Sequence, residues 1–118
     1  MSEVWPTELR VKNKGALLSI SFEDGNTYDL SAEYLRVESP SAEVKGHGPG
    51  QEQLVFGKRR VKIIKAEPIG SYAVRLIFSD THATGLYTWA YLAKLGREEE
   101  SIWQAYETKL NTEGKSRD

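Results

Sequence analysis

Two segments with the same internal logic constrain this chain more than any other feature. They read "LSISFEDGNTYDLSAEYL" from Leu18 and "VRLIFSDTHATGLYTWAYL" from Val74. In the first, Leu18, Ile20 and Phe22 alternate with Ser19 and Ser21. In the second, Val74, Leu76 and Phe78 do the same. A period of two is the period of a half-buried strand and does not suit a helix. Each run ends in a tight turn: Asp24-Gly25 is a hairpin signal, and Asp80-Thr81-His82 is its counterpart. Each then returns as a short strand and meets a helix-capping hydroxyl, Ser31 or Thr88. Phe22, Asp24 and Leu30 stand at the same spacings as Phe78, Asp80 and Leu86. The pattern predicts an α+β fold. Two hairpin-plus-short-helix units share one mainly antiparallel β-sheet, with helices over one face.

The remaining periodicity fills in the elements. Glu8 to Asn13 alternates, with Leu9 and Val11 on one face, and Asn13-Lys14-Gly15 reads as a turn. Gly57 to Ala66 reads as a strand with Val61 and Ile63 inward, and Glu67 to Gly70 as the turn after it. Thr88 caps a helix running to Leu95, and Gly96 suits a break or C-cap. A C-terminal helix is expected over about 97–110, with Ile102, Trp103, Tyr106 and Leu110 as its apolar stripe. The tail, 111–118, is expected to fray. Between Pro40 and Gln53 there is no periodicity, and a loop of that length is often functional.

The length of 118 residues fits a single domain, 1–118. Sixteen basic residues against seventeen acidic ones give no global attraction to nucleic acid or to an anionic membrane. With no cysteine, the chain has no disulfide, thiolate nucleophile or cysteine metal site. No apolar run is long enough for a signal peptide or a membrane span, so a bacterial-type cytoplasmic protein is the default expectation.

Chemistry-bearing motifs are sparse. The two histidines, His47 and His82, sit in no metal-ligand spacing. Ser39 and Ser41 lie on a proline-containing loop with no nucleophile elbow. "GHGPG" lacks the phosphate-loop lysine and following helix. "GKRRVKIIK" would place Lys58, Arg60 and Lys62 on one solvent face of a strand, which reads as a charged edge before it reads as a phosphate-contacting stripe. Tyr87, Trp89 and Tyr91 are mainly core residues by their spacing.

One stretch carries a resemblance. "YLRVESPSAEV", with "FEDGNTYDLSAEYLR" before it and "IFSDTHATGLYTWAYL" after it, is similar to the N-terminal domain of gamma-butyrobetaine hydroxylase and trimethyllysine hydroxylase. It is also similar to small stand-alone bacterial members of that family. The likeness spans roughly Leu9 to Leu95. It implies a mainly β domain that, in the hydroxylases, holds one zinc through three cysteines and a histidine beside a separate oxygenase domain. The cysteine positions fall on Ser39, Ser41 and Val44, and the histidine position on His82. The thiolates are gone, so no zinc or other cofactor is expected. The oxygenase domain and its iron ligands have no counterpart here.

The expected function is that of a non-catalytic binding or adaptor module for another protein. Its candidate surface is Arg36, Ser39, Ser41, Glu43, His47 and His82. The alternatives are a small-molecule or metal binder, or an enzyme, using His47, His82 and Glu43, and a docking partner in iron–sulfur cluster assembly, since related domains occur fused to cluster carriers. Nucleic-acid binding through Arg59, Arg60 and Lys62 is the weakest reading.

Overall fold

In the computed structural model, residues 5–41 and 54–118 are described. Two three-stranded antiparallel sheets, each a meander, carry the fold. The first runs β1 (Pro6–Lys12), β2 (Leu17–Phe22) and β3 (Thr27–Ser31), and leads into helix α1 (Ala32–Val37). The second runs β4 (Ile63–Ile69), β5 (Ala73–Phe78) and β6 (Leu86–Thr88), and leads into helix α2 (Trp89–Arg97). A third helix, α3 (Glu99–Thr112), follows. The fold is therefore α+β with two hairpin-plus-helix units and a C-terminal helix. The two units do not share one sheet. Each builds its own, and the buried faces meet in one core.

The alternation explains that core. Leu18, Ile20 and Phe22 from β2 and Val74, Leu76 and Phe78 from β5 are all 3% exposed or less. Ser31 and Thr88 act as N-caps as their positions require. Each side-chain oxygen accepts from the amide three residues on, Tyr34 at 3.0 Å and Tyr91 at 3.1 Å. A cap of this kind stabilises a helix by about 1 kcal/mol.

The caps set a reciprocal pattern. Tyr34 and Tyr91 each stand three residues after their cap. The Tyr34 hydroxyl donates to the Leu95 carbonyl at 2.7 Å, and the Tyr91 hydroxyl donates to the Glu38 carbonyl at 2.5 Å. Leu95 and Glu38, the acceptors, each stand seven residues after the cap of their own unit. Each helix thus has a C-terminal carbonyl, which its own hydrogen-bond ladder leaves over, satisfied by the other helix's tyrosine.

Several boundaries differ from the sequence pattern. The equivalent of Leu30, buried just before its cap, is Tyr87 and not Leu86, because the stretch from Phe78 to the Thr88 cap is one residue longer than that from Phe22 to Ser31; Leu86 is 39% exposed and Tyr87 is fully buried. Glu67, Pro68 and Ile69 belong to β4, where Pro68 sits opposite Val74 on an edge strand that needs no second ladder. Gly96 lies inside α2. A Cβ there would meet the Tyr28 ring at 2.4 Å, so this glycine is a packing position and not a helix stop. Val11 points outward, 41% exposed.

Residues 57–62 do not continue β4, so Lys58, Arg60 and Lys62 share no strand face. Their backbone pairs elsewhere: the Gly57 and Arg59 amides donate to the Ser116 and Arg117 carbonyls at 3.0 and 2.9 Å. The tail is therefore docked where fraying was expected. Gly114 turns the chain at φ +66°, and residues 115–118 run back along residues 56–60. A small second cluster, Val37 with Tyr106 and Leu110, packs against Leu54 and Val55 beneath this crossing.

Candidate functional site

The end of α1 and the turn after β5 lie side by side, and the candidate residues meet there. Ser39 follows the α1 C-cap, and its amide donates to the Arg36 carbonyl at 3.4 Å. Its hydroxyl lies 2.9 Å from Nε2 of His82. Two residues further along each segment, the Ser41 hydroxyl lies 2.7 Å from that of Thr84. These contacts form two rungs of a ladder in parallel register, and the Ser41 amide donates to the Ser39 oxygen at 3.3 Å between them. The site is closed: Ser39 is 0% exposed, His82 5% and Ser41 8%.

Gly85 makes this approach possible. A Cβ at that position would sit 2.6 Å from the Ser39 oxygen. The His82 ring also lies beside Phe78, with centroids 6.2 Å apart.

Below the ladder is an ion cluster. The Arg36 Nε and the Lys58 ammonium both donate to one oxygen of Asp80, at 2.8 and 2.6 Å, while the other accepts the His82 amide at 3.2 Å. Partial burial would raise the Asp80 carboxyl, but its bonds to Lys58 and Arg36 prevail and hold it at about 2. Arg36 Nη1 is buried without a hydrogen-bond partner. The aspartate fixes the turn that presents His82, because it holds that residue's own backbone.

The structure thus brings together Arg36, Ser39, Ser41 and His82 from the candidate surface, and adds Thr84, Gly85, Lys58 and Asp80. The added residues left one signal in the sequence: Ser39-x-Ser41 and His82-x-Thr84 have matching spacing. Nothing in either segment alone says that they pair. Glu43, Val44 and His47 lie outside the described residues.

The family model for gamma-butyrobetaine hydroxylase-like N-terminal domains matches residues 9–93. The chain belongs to this family. Among solved structures, two proteins known from NMR solution structures are similar to this chain at 40% and 43% identity, with TM-scores of 0.85 and 0.83. The first match covers 99% of this chain and 92% of that one, and the second 98% and 86%. A crystal structure of a protein with unknown function from Acidithiobacillus ferrooxidans matches at 40% identity and TM-score 0.65, covering 77% of this chain and 91% of that one. No curated protein matches.

Membership in this hydroxylase-like family raises the question of its zinc. The residues at the described ligand positions are two serines and one histidine. A hydroxyl stays protonated at neutral pH and brings no charge to balance a divalent cation, whereas structural zinc sites in proteins use thiolates and imidazoles. His82 Nε2 already faces the Ser39 hydroxyl. Among the described residues, no group of three or more His, Cys, Asp or Glu side chains converges. The donor set does not fit zinc. In this member of the hydroxylase-like family, hydrogen bonds join the two segments at the described positions.

The Ser39–His82 distance also fits a nucleophile and its base. Access argues otherwise. A fully buried hydroxyl meets no substrate. Among the described residues, no helix is long and apolar enough to cross a membrane.

Proposed function

We propose that this chain is a non-catalytic docking domain that meets a partner protein through the segment beginning at Ser39 and works without a bound metal. The observation that supports it is the closure of the Ser39–His82 and Ser41–Thr84 ladder: the chemistry-bearing side chains of the site are spent on holding two segments together. A site built for turnover leaves its nucleophile accessible. Here burial and pairing serve the backbone.

The reading is tested in two measurements on the purified protein. Elemental analysis after dialysis against a weak chelator is expected to find no stoichiometric zinc. Joint replacement Ser39→Cys, Ser41→Cys and Val44→Cys is expected to restore about one zinc per chain, because thiolates then stand where the family places them. A serine-directed fluorophosphonate probe is expected to leave Ser39 unlabelled. Stoichiometric zinc in the native chain, or labelling at Ser39, overturns the proposal.

A further inference from the structure

Arg117 is the best-held side chain of the docked tail. Its Nε and Nη2 donate to the two Glu33 oxygens at 2.8 and 2.7 Å, and its guanidinium lies over the Trp103 ring, 5.2 Å from the centroid. Glu33 is 6% exposed, a burial that carboxylates rarely show unless paired. The main chain on either side of Arg117 adds strand-like bonds to Gly57 and Arg59. An extended segment with an arginine anchor is therefore already seated between α1 and α3.

The seat is larger than its occupant. An open cavity of about 600 Å³ adjoins Arg117, and its walls include Glu33, Glu99, Glu100, Trp103 and Glu107. Four carboxylates face one guanidinium there. Glu99, Glu100 and Glu107 make no ion pair among the described residues. Burial also pushes the Glu99 carboxyl up, so a cation beside it would relieve a standing cost.

We propose that this groove is a docking site for an extended basic segment of a partner protein, with one arginine taking the place of Arg117 between Glu33 and Trp103 and a second cation reaching Glu99 and Glu100. The tail is then an in-chain competitor that keeps the buried carboxylate paired until the partner arrives. Arginine is favoured over lysine, because only a planar fork meets both oxygens of Glu33 while stacking on an indole. The partner displaces the tail because it neutralises more of the groove. This goes beyond the docking reading, because the groove is a separate surface from the segment that begins at Ser39. It uses neither Ser39, Ser41 nor His82, so either proposal can fail alone.

The test is fluorescence anisotropy with a labelled Gly/Ser peptide carrying two arginines, against the same peptide carrying two lysines. With the full chain, Arg117→Ser is expected to bind the arginine peptide roughly tenfold more tightly than the native protein, since the competitor is removed. Arg117→Lys is expected to fall between them. In the Arg117→Ser background, Glu99→Gln with Glu100→Gln is expected to weaken binding several-fold while leaving Tm unchanged. A check independent of any variant is NMR of the native chain: saturating arginine peptide is expected to shift the Trp103 indole N–H and sharpen the resonances of residues 115–118. Equal affinity for native protein and Arg117→Ser, equal binding of the two peptides, or an unmoved Trp103 signal overturns the proposal.

Discussion

At the scale of single residues, the site depends on a missing methyl group and a shared carboxylate. Gly85 lets the Ser39 oxygen come where a Cβ would stand at 2.6 Å. Asp80 is the more readily measured of the two. Its carboxyl is held at about 2 against an ordinary value of 3.8, by Lys58 and Arg36 acting against burial. A folded value below the unfolded one stabilises the fold above the unfolded value, and the gain is lost as pH falls through the folded one. Stability is therefore expected to drop between about pH 4 and 2, by about 2 kcal/mol for this group. In Asp80→Asn, urea unfolding is expected to show roughly that loss at neutral pH and a flatter acid profile. An unchanged profile would mean that Asp80 does not organise the turn. At this scale little was legible in the sequence. Asp80 stood out only as a turn residue, because its partners Arg36 and Lys58 are 44 and 22 positions away.

At the scale of elements the sequence was a better guide, and its errors have physical causes. The alternating runs around Ile20 and Leu76, the caps Ser31 and Thr88, and the stripe of α3 were all legible, because each is a local rule with a local cause. Gly96 was misread because its reason is distant: the Tyr28 ring rests where its side chain would be. Gly96→Ala distinguishes the two accounts. An isolated helix gains roughly 0.5–1 kcal/mol from that change. Here the overlap with Tyr28 is expected to reverse the sign and lower Tm by several degrees, and Tyr28→Ala together with Gly96→Ala is expected to recover part of the loss. The run from Gly57 to Lys62 was misread for a similar reason. Its strand-like backbone bonds go to the tail, and nothing in "GKRRVK" tells which partner a strand edge takes. The tail in turn looked free to fray, because Arg117 and its partner Glu33 are separated by 84 positions.

At the scale of the whole molecule, phenol groups tie the parts together. Four of the six tyrosines donate to main-chain carbonyls far along the chain: Tyr34, Tyr87, Tyr91 and Tyr106. Burial raises all four phenols; Tyr106 is pushed up to about 12 and the other three beyond that. For an acid whose folded value is raised, stability is fully present below the unfolded value and falls as pH rises above it. The domain is expected to hold through neutral pH and to unfold cooperatively once the pH passes about 10, the ordinary phenol value. Absorbance of tyrosinate and far-ultraviolet circular dichroism, followed together, are expected to show Tyr34, Tyr87, Tyr91 and Tyr106 ionising only with the loss of helix. Ionisation of these four with the fold intact would contradict the structure. Composition alone could not foresee this, since it counts tyrosines without saying which carbonyl each one reaches.

The exchange of hydroxyl and carbonyl between α1 and α2 has one more consequence. Tyr34 reaches the carbonyl seven places past the second cap, and Tyr91 reaches the carbonyl seven places past the first. A contact in which position i of one half meets position j of the other, and j of the first meets i of the second, is the signature of a two-fold axis between identical subunits. Such a contact closes on itself, and so it is available to two separate copies of a half-length chain before any linker joins them. By this geometry the two hairpin-plus-helix units meet as the two members of a two-fold pair would, with the linker between them adding nothing to that contact.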